Sequence, residues 1–258
     1  MVKLFYFLYL VSNSIKMKYI LLLFLSICSF AQDKFKVEYE RRYFISLDDP
    51  NPESKKLREE MFSKPKYIAL SVDANQCLSQ EVERVDNSQG PKYSMKVIGG
   101  YKDLESFYDF DNNTKTIRRE MDSKIYNISD SITTYKWNIT RETKKIKGYD
   151  VRKAIVVDAN FSIEAWYVPT IKSKCGPEEY NGLPGLLLEL KRTSLKDENQ
   201  YTTYKLESIS IDNKLKLQLQ KPSKGKVILL SEFEKLEGEY YQKIQENINK
   251  NRGVDRGD

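Results

Sequence analysis

Residues 179–190 read Glu-Tyr-Asn-Gly-Leu-Pro-Gly-Leu-Leu-Leu-Glu-Leu, and the rest of the chain is organised around this stretch. Gly182 and Gly185 permit positive φ or the close approach of another backbone, whereas Pro184 fixes its own φ and removes a hydrogen-bond donor. The residue before a proline is biased toward extended geometry. Four leucines interrupted by one glutamate then follow. The pattern predicts a stiff, non-helical turn that leads into a buried strand.

The N-terminal region has the pattern of a secretory signal. Residues 20–30 form an apolar run with lysines before it, and small Ala31 follows at a position that a signal peptidase reads. The run is too short to span a bilayer. We therefore predict a signal peptide over residues 1–31. Met17 is a better start than Met1, because signal regions rarely carry a second apolar stretch upstream.

Removal of the signal leaves 227 residues, enough for one sizeable domain, which we place at residues 32–248, with a disordered tail at 249–258. The full chain has a net charge of +6, and three of its lysines lie in the signal. The remaining charge of +3 is too small to indicate nucleic-acid binding.

The chain contains no histidine, which excludes His-based acid–base catalysis and most zinc, copper and non-haem iron sites. We therefore expect neither a cofactor nor a metal. Cys77 and Cys175 remain after export. Two alternatives stay open for them: a disulfide formed in an oxidising compartment, or two separate buried thiols.

Apolar and polar residues alternate along much of the chain, with short polar turns between the segments, and this favours an antiparallel meander over a βαβ fold. The 18 tyrosines fit pleated surfaces. A short helix is predicted at 53–62, an irregular loop at 86–104, and an amphipathic helix from Ser231 to Ile248. The predicted strands are residues 35–45, 67–72, 77–85, 105–110, 115–121, 125–128, 135–139, 151–157, 162–168, 186–190, 201–211 and 215–219.

Several short motifs occur in a characteristic order. They are Lys147-Gly148-Tyr149, Lys153-Ala154, Glu164-Ala165-Trp166-Tyr167-Val168, Cys175-Gly176-Pro177, Tyr180, Gly182-Leu183-Pro184-Gly185-Leu186-Leu187 and the helix start Ser231-Glu232-Phe233-Glu234. The set resembles the GLPGLI family of exported bacterial envelope proteins over most of the mature chain. Leu187 departs from the isoleucine of the motif, and Val151 replaces a frequent cysteine, which puts a family disulfide at that position in doubt.

The resemblance implies a curved, half-barrel-like antiparallel sheet similar to periplasmic lipoprotein carriers, with one helix in the N-terminal half and one at the C-terminus. It also implies a location in the periplasm or at the outer membrane of a Gram-negative-type envelope. The fold alone does not determine the activity.

From these observations we expect a non-catalytic binding protein that holds a hydrophobic ligand, a peptide or a partner segment. The residues expected to line its concavity are Trp166, Tyr167, Tyr180, Leu183 and Leu186, although aromatic residues on strands are more often simple core. The alternative is an accessory subunit of an outer-membrane protein complex, contacted through the C-terminal helix or the 86–104 loop. An enzyme is not expected. Its carboxylates would come from Glu164, Glu178, Glu179 and Glu189, which nothing in the sequence brings together.

Overall fold

The computed structural model describes residues 34–84 and 101–254, and these ranges form one open, curved sheet of twelve strands with two helices. The prediction of a mainly β fold built on a curved antiparallel sheet is confirmed. The helices are α1 (Pro52–Phe62) and α2 (Leu230–Val254). The strands are β1 (Phe35–Phe44), β2 (Lys66–Asp73), β3 (Gln76–Val82), β4 (Tyr101–Asp109), β5 (Thr114–Met121), β6 (Lys124–Ser131), β7 (Asn138–Ile146), β8 (Tyr149–Val157), β9 (Phe161–Val168), β10 (Leu186–Ser194), β11 (Tyr201–Ile211) and β12 (Lys226–Ile228).

The sheet consists of two meanders that meet in the middle. Its strand order is β12-β6-β5-β4-β3-β2-β1-β11-β10-β9-β8-β7. Strands β1 to β6 form the first meander, β7 to β11 form the second, and β1 pairs with β11 where the two meet. Every pairing is antiparallel except that of short β12 with β6. Because β6 and β7 lie near opposite ends of this order, the connection at residues 132–137 crosses from one end of the sheet to the other, and so short a segment can do so only because the curvature of the sheet brings these ends together.

Strand alternation builds the core. In β1, Phe35, Val37 and Tyr39 are buried, and the residues between them are more exposed. In β10, three successive leucines are buried, from Leu186 to Leu188. The pairing of β10 with β9 shifts register at this point, which leaves Leu188 in a bulge and allows the unbroken apolar run.

Helix α2 packs against the first meander through one fully buried side chain. Phe233 has no exposed surface and lies in a small cluster with Met121, Tyr126 and Ile128. Its ring meets that of Tyr126 edge to face at 5.6 Å. None of the helices in the described ranges combines the length and the apolarity that crossing a bilayer requires.

Several predicted boundaries are wrong. Residues 101–104 belong to β4 and not to a loop, and the strand predicted at 135–139 instead runs over Asn138–Ile146. The predicted strand at 215–219 is irregular, while β12 was missed. Helix α2 continues to Val254, into the segment predicted as a tail. The signal at 1–31 and most of the 86–104 loop lie outside the described residues.

Candidate functional site

The loop between β9 and β10 is tied to the other meander by a disulfide. Cys175 in this loop is joined to Cys77 of β3, with 6.2 Å between their Cα atoms and a sequence separation of 98. Both cysteines are buried. Of the two alternatives left open by the sequence, the structure has the disulfide, and it holds the loop over the sheet.

The glycines of the central stretch have distinct structural roles. Gly182 has a φ of +87°, which side-chain-bearing residues rarely adopt. A Cβ atom on Gly185 would lie 2.2 Å from the carbonyl oxygen of Val168, so only glycine allows this contact with the end of β9. Pro184 between them is exposed. The motif therefore closes the loop tightly against the strand that precedes it.

A group of polar side chains, here called the Arg41 cluster, lies where this loop meets the sheet. It consists of Arg41 from β1, Glu81 from β3, Glu178 from the loop and Tyr204 from β11. The Arg41 guanidinium donates to both carboxylates, to Glu178 and, at 3.2 Å, to Glu81. The Tyr204 hydroxyl donates to the other oxygen of Glu178. The three charged side chains retain 21–25% exposure, so solvent reaches them.

Glu178 is held in an uncommon backbone conformation. Its φ is +52°, and its N–H donates to the Ser79 hydroxyl at 2.9 Å. Non-glycine residues in this region persist where the surroundings determine them strongly, as they often do at functional sites. Burial raises the pKa of the Glu178 carboxyl above its usual value, and the neighbouring Arg41 charge opposes this change.

Four aromatic rings, here called the aromatic row, lead from the surface to this cluster. Successive ring centroids are 5.6 Å apart for Trp137 and Tyr135, 5.9 Å for Tyr135 and Tyr180, and 5.2 Å for Tyr180 and Tyr204. Trp137 and Tyr135 belong to the crossing connection and are only partly buried. The row is therefore partly open to solvent at one end and buried at the other.

Hydrogen bonds fix the row to the loop. The Trp137 indole N–H donates to the Asn181 carbonyl at 2.9 Å, and the Tyr135 hydroxyl donates to the exposed carboxylate of Glu179 at 3.3 Å. Burial raises the pKa of Tyr135 and of Tyr180, so both phenols stay neutral. The arrangement places partly buried aromatic rings beside the carboxylate of Glu179. Within the described ranges, no group of three or more His, Cys, Asp or Glu side chains is arranged to hold a metal ion.

The residues predicted to line a concavity do not form one surface. Tyr167, Tyr180, Leu183 and Leu186 are at most 4% exposed and belong to the core. Trp166 lies between buried neighbours in β9, so its side chain points to the opposite face. There it donates to Glu164 at 3.2 Å, and the Lys144 ammonium lies 4.3 Å from its ring centroid.

Five residues of the site were missed from the sequence: Arg41, Glu81, Tyr135, Trp137 and Tyr204. One signal was available. Arg41 lies two residues after Tyr39 and is therefore on the same face of β1 as Phe35, Val37 and Tyr39. Strand alternation thus places a charged side chain on the buried face. No comparable signal marks Tyr135 and Trp137, because their position depends on the path of the chain between β6 and β7.

Comparison with known proteins links this architecture to N-glycanases. Residues 109–226 match the family model described as N-glycanase peptide, N-terminal domain. PNGF-II in a P21 crystal superposes with a TM-score of 0.52 and 17% identity, covering 81% of this chain and 34% of that one. PNGF-II in a C2 crystal gives 0.52 and 18%, with coverages of 81% and 33%. This chain thus spans about a third of the length of PNGF-II.

A more distant structure is the LolA superfamily protein NE2245 from Nitrosomonas europaea. Its TM-score is 0.32 at 9% identity, with 74% of this chain and 92% of that chain covered. No curated protein matches this chain.

These matches correct the expectation that no enzyme is involved. The matching family model and the PNGF-II structures belong to N-glycanases, an enzyme class, and the match is to its N-terminal domain. The expectation relied on the absence of any signal in the sequence that brings carboxylates together. The fold nevertheless brings Glu81 and Glu178, which are far apart in sequence, to one guanidinium.

Proposed function

We propose that this chain is a binding domain for glycosylated polypeptides and serves an N-glycanase-type activity. Two observations support the proposal: the match to the N-terminal domain of the N-glycanase family and the aromatic row that opens beside acidic side chains. The proposal depends mainly on the aromatic row, because its rings and the neighbouring carboxylate supply the contacts that such a ligand requires.

The aromatic row suits a sugar attached to a peptide. A sugar ring has a C–H face that packs on an aromatic plane, and Trp137 and Tyr135, which are only partly buried, offer such planes. Sugar hydroxyls and peptide N–H groups are donors, and the carboxylate of Glu179 is an exposed acceptor beside Tyr135. Specific polar groups next to aromatic surface are the usual composition of a small-ligand site.

The site is also preorganised. The disulfide, the Gly182 turn and the Arg41 cluster hold the loop before any ligand arrives, so little conformational entropy is lost on binding. Arg41, Glu81 and Glu178 keep partial solvent access at the other end of the row, whereas Glu179 lies beside its partly exposed end. This differs from the apolar hollow expected from the sequence, whose side chains are buried in the core.

The proposal retains the other predictions made from the sequence. The resemblance to the GLPGLI family and the signal at 1–31 favour an exported protein that works in the periplasm or at the outer membrane, where glycosylated polypeptides are accessible to it. An accessory role in an outer-membrane assembly stays a second prediction. Its contact surfaces were the 86–104 loop and the C-terminal helix.

Calorimetric titration with an N-glycosylated peptide and with the same peptide lacking its glycan tests the proposal. We expect the glycopeptide to bind about tenfold more tightly, and Tyr135→Ala to lose about 1 kcal/mol of that binding. Glu179→Gln should also weaken binding while preserving side-chain shape. Trp166→Phe, on the opposite face, serves as the matched control and should bind as the wild type does. Equal affinity for both peptides, or an unaffected Tyr135→Ala variant, would refute the assignment.

A further inference from the structure

Strand β7 forms a free edge of the sheet. It stands last in the strand order and, within the described ranges, pairs only with β8. Seven of its nine residues are exposed, and only Ile146 is buried. A strand exposed on both faces and unpaired along one side presents its backbone N–H and C=O groups as a template for another strand.

The hairpin that contains this edge is strongly basic. Residues 136–153 hold seven basic and two acidic side chains, a net charge of +5, compared with +6 for the entire chain. The basic residues are Lys136, Arg141, Lys144, Lys145, Lys147, Arg152 and Lys153, and the acidic ones are Glu142 and Asp150. The hairpin is thus strongly positive, whereas the other residues beyond residue 31 have a net charge of −2.

Local ion pairs account for only part of this charge. Lys144 pairs with Glu189, Lys145 with Asp150, and Lys153 with both Glu142 and Glu164. Lys136, Arg141 and Arg152 are exposed and form no ion pair with any described residue. Lysines on edge strands commonly prevent two copies from pairing, because like charges repel. The same charges favour a strand of opposite sign.

We propose that the free edge of β7 binds an acidic polypeptide segment in an extended conformation, which adds to the sheet as a further strand. The added strand lies along residues 143–146, where β7 pairs regularly with β8, because the register shifts between Ile139 and Thr143. Main-chain hydrogen bonds provide the attachment, and the basic side chains select an acidic sequence. The inference uses residues outside the aromatic row and does not depend on glycopeptide binding.

A free edge distinguishes this ligand from other polyanions. A sulfated glycan or an anionic lipid surface would respond to the positive charge but would make no use of the unpaired backbone groups. An acidic peptide uses both features, and the loss of either one should weaken its binding.

The test uses the full chain and a capped, fluorescently labelled peptide of alternating threonine and glutamate. A second peptide with the same sequence carries N-methyl groups on alternate residues, which removes backbone donors without changing charge. Fluorescence anisotropy measures the affinity of each, and hydrogen exchange follows the amides of residues 143–146. The double variant Lys136→Glu with Arg141→Glu reverses unpaired charges beside the edge. Lys224→Glu, next to β12 at the other end of the sheet, is the matched control.

We expect the unmodified peptide to bind and to slow amide exchange in residues 143–146. The N-methylated peptide should bind at least about tenfold more weakly. The double charge reversal should weaken binding about tenfold, and Lys224→Glu should leave it unchanged. Equal binding of both peptides would overturn the proposal in favour of a general polyanion surface. Absence of binding, or an unaffected double variant, would overturn it as well. A failure of glycopeptide binding at the aromatic row would leave these results unchanged.

Discussion

Removal of the Cys77–Cys175 disulfide, by changing both cysteines to alanine, should strongly destabilise the sheet domain. The bridge closes a loop with a sequence separation of 98. In the chain-entropy model, cross-linking a loop of this length lowers the entropy of the unfolded chain enough to stabilise the fold by about 4.7 kcal/mol. This is a large fraction of the stability of a typical domain.

Urea unfolding of the wild type and of the double alanine variant measures this effect, with tryptophan fluorescence as the readout. With a slope of about 2–3 kcal/mol per molar urea, the midpoint should fall by about 2 M. Wild-type protein unfolded in the presence of a reductant serves as the control and should behave like the variant. A difference of less than about 1 kcal/mol between the oxidised wild type and the variant would refute the reasoning.

The same variant should lose glycopeptide affinity under conditions in which it remains folded. Glu178 follows Cys175 by three residues in the loop, and its position over Arg41 depends on that loop staying in place. Without the bridge, the loop must be ordered on binding, which adds an entropic cost. An unchanged affinity would show that the other contacts of the loop suffice to hold it.

Three further predictions concern stability. Phe233→Ala should lower the free energy of unfolding in urea by about 3–5 kcal/mol, because it removes the side chain that packs α2 against the sheet. The exposed Tyr241 is the control, and Tyr241→Ala should change this free energy by no more than about 0.5 kcal/mol. Equal losses would contradict this packing. Gly185→Ala should lower the free energy of unfolding by about 1–3 kcal/mol or more, because its Cβ would clash with the backbone. Gly238→Ala has open space in α2 and should raise the free energy of unfolding by about 0.5–1 kcal/mol. The reverse order of stabilities would be inconsistent with the tight turn. Hydrogen bonds from Asn112 lower the pKa of Asp109. The ionised Asp109 carboxylate should therefore contribute fully to the free energy of unfolding above its unfolded-state pKa of about 3.9, and this contribution should be lost as pH falls through the folded-state pKa. In acid titrations of stability, Asp109→Asn should flatten this pH dependence.

Much of the fold could be predicted from local patterns. The alternation in β1 and the full extent of β11 at Tyr201–Ile211 were readable, because a half-buried strand repeats every two residues. Strand β12 was not, because three residues carry too little periodicity. The strand at β7 was misplaced for a different reason. Its exposed edge has no buried face, so the aromatic residues before it, Tyr135 and Trp137, gave the stronger strand pattern.

The candidate site could be predicted only in part. The glycines and Pro184 were identified because their backbone requirements are local. The Arg41 cluster was not, since it joins β1, β3, β11 and a loop, and strand order cannot be read from one sequence. Trp166 was assigned to the wrong face because it was placed in the concavity together with Tyr167, although consecutive residues of a strand point to opposite faces; Lys144 and Glu164 lie beside it.

The two tryptophans of the chain provide the most direct test of the proposed site. Trp137 belongs to the aromatic row, with its indole N–H on Asn181, and Trp166 lies on the opposite face of β9. Their indole signals can be followed by NMR while an N-glycosylated peptide is added, with Trp166→Phe used to assign them. We predict that the Trp137 signal shifts as peptide is added and stops shifting when the site is saturated, while the Trp166 signal does not shift. A shift of Trp166 alone, or of neither signal, would contradict binding at the aromatic row.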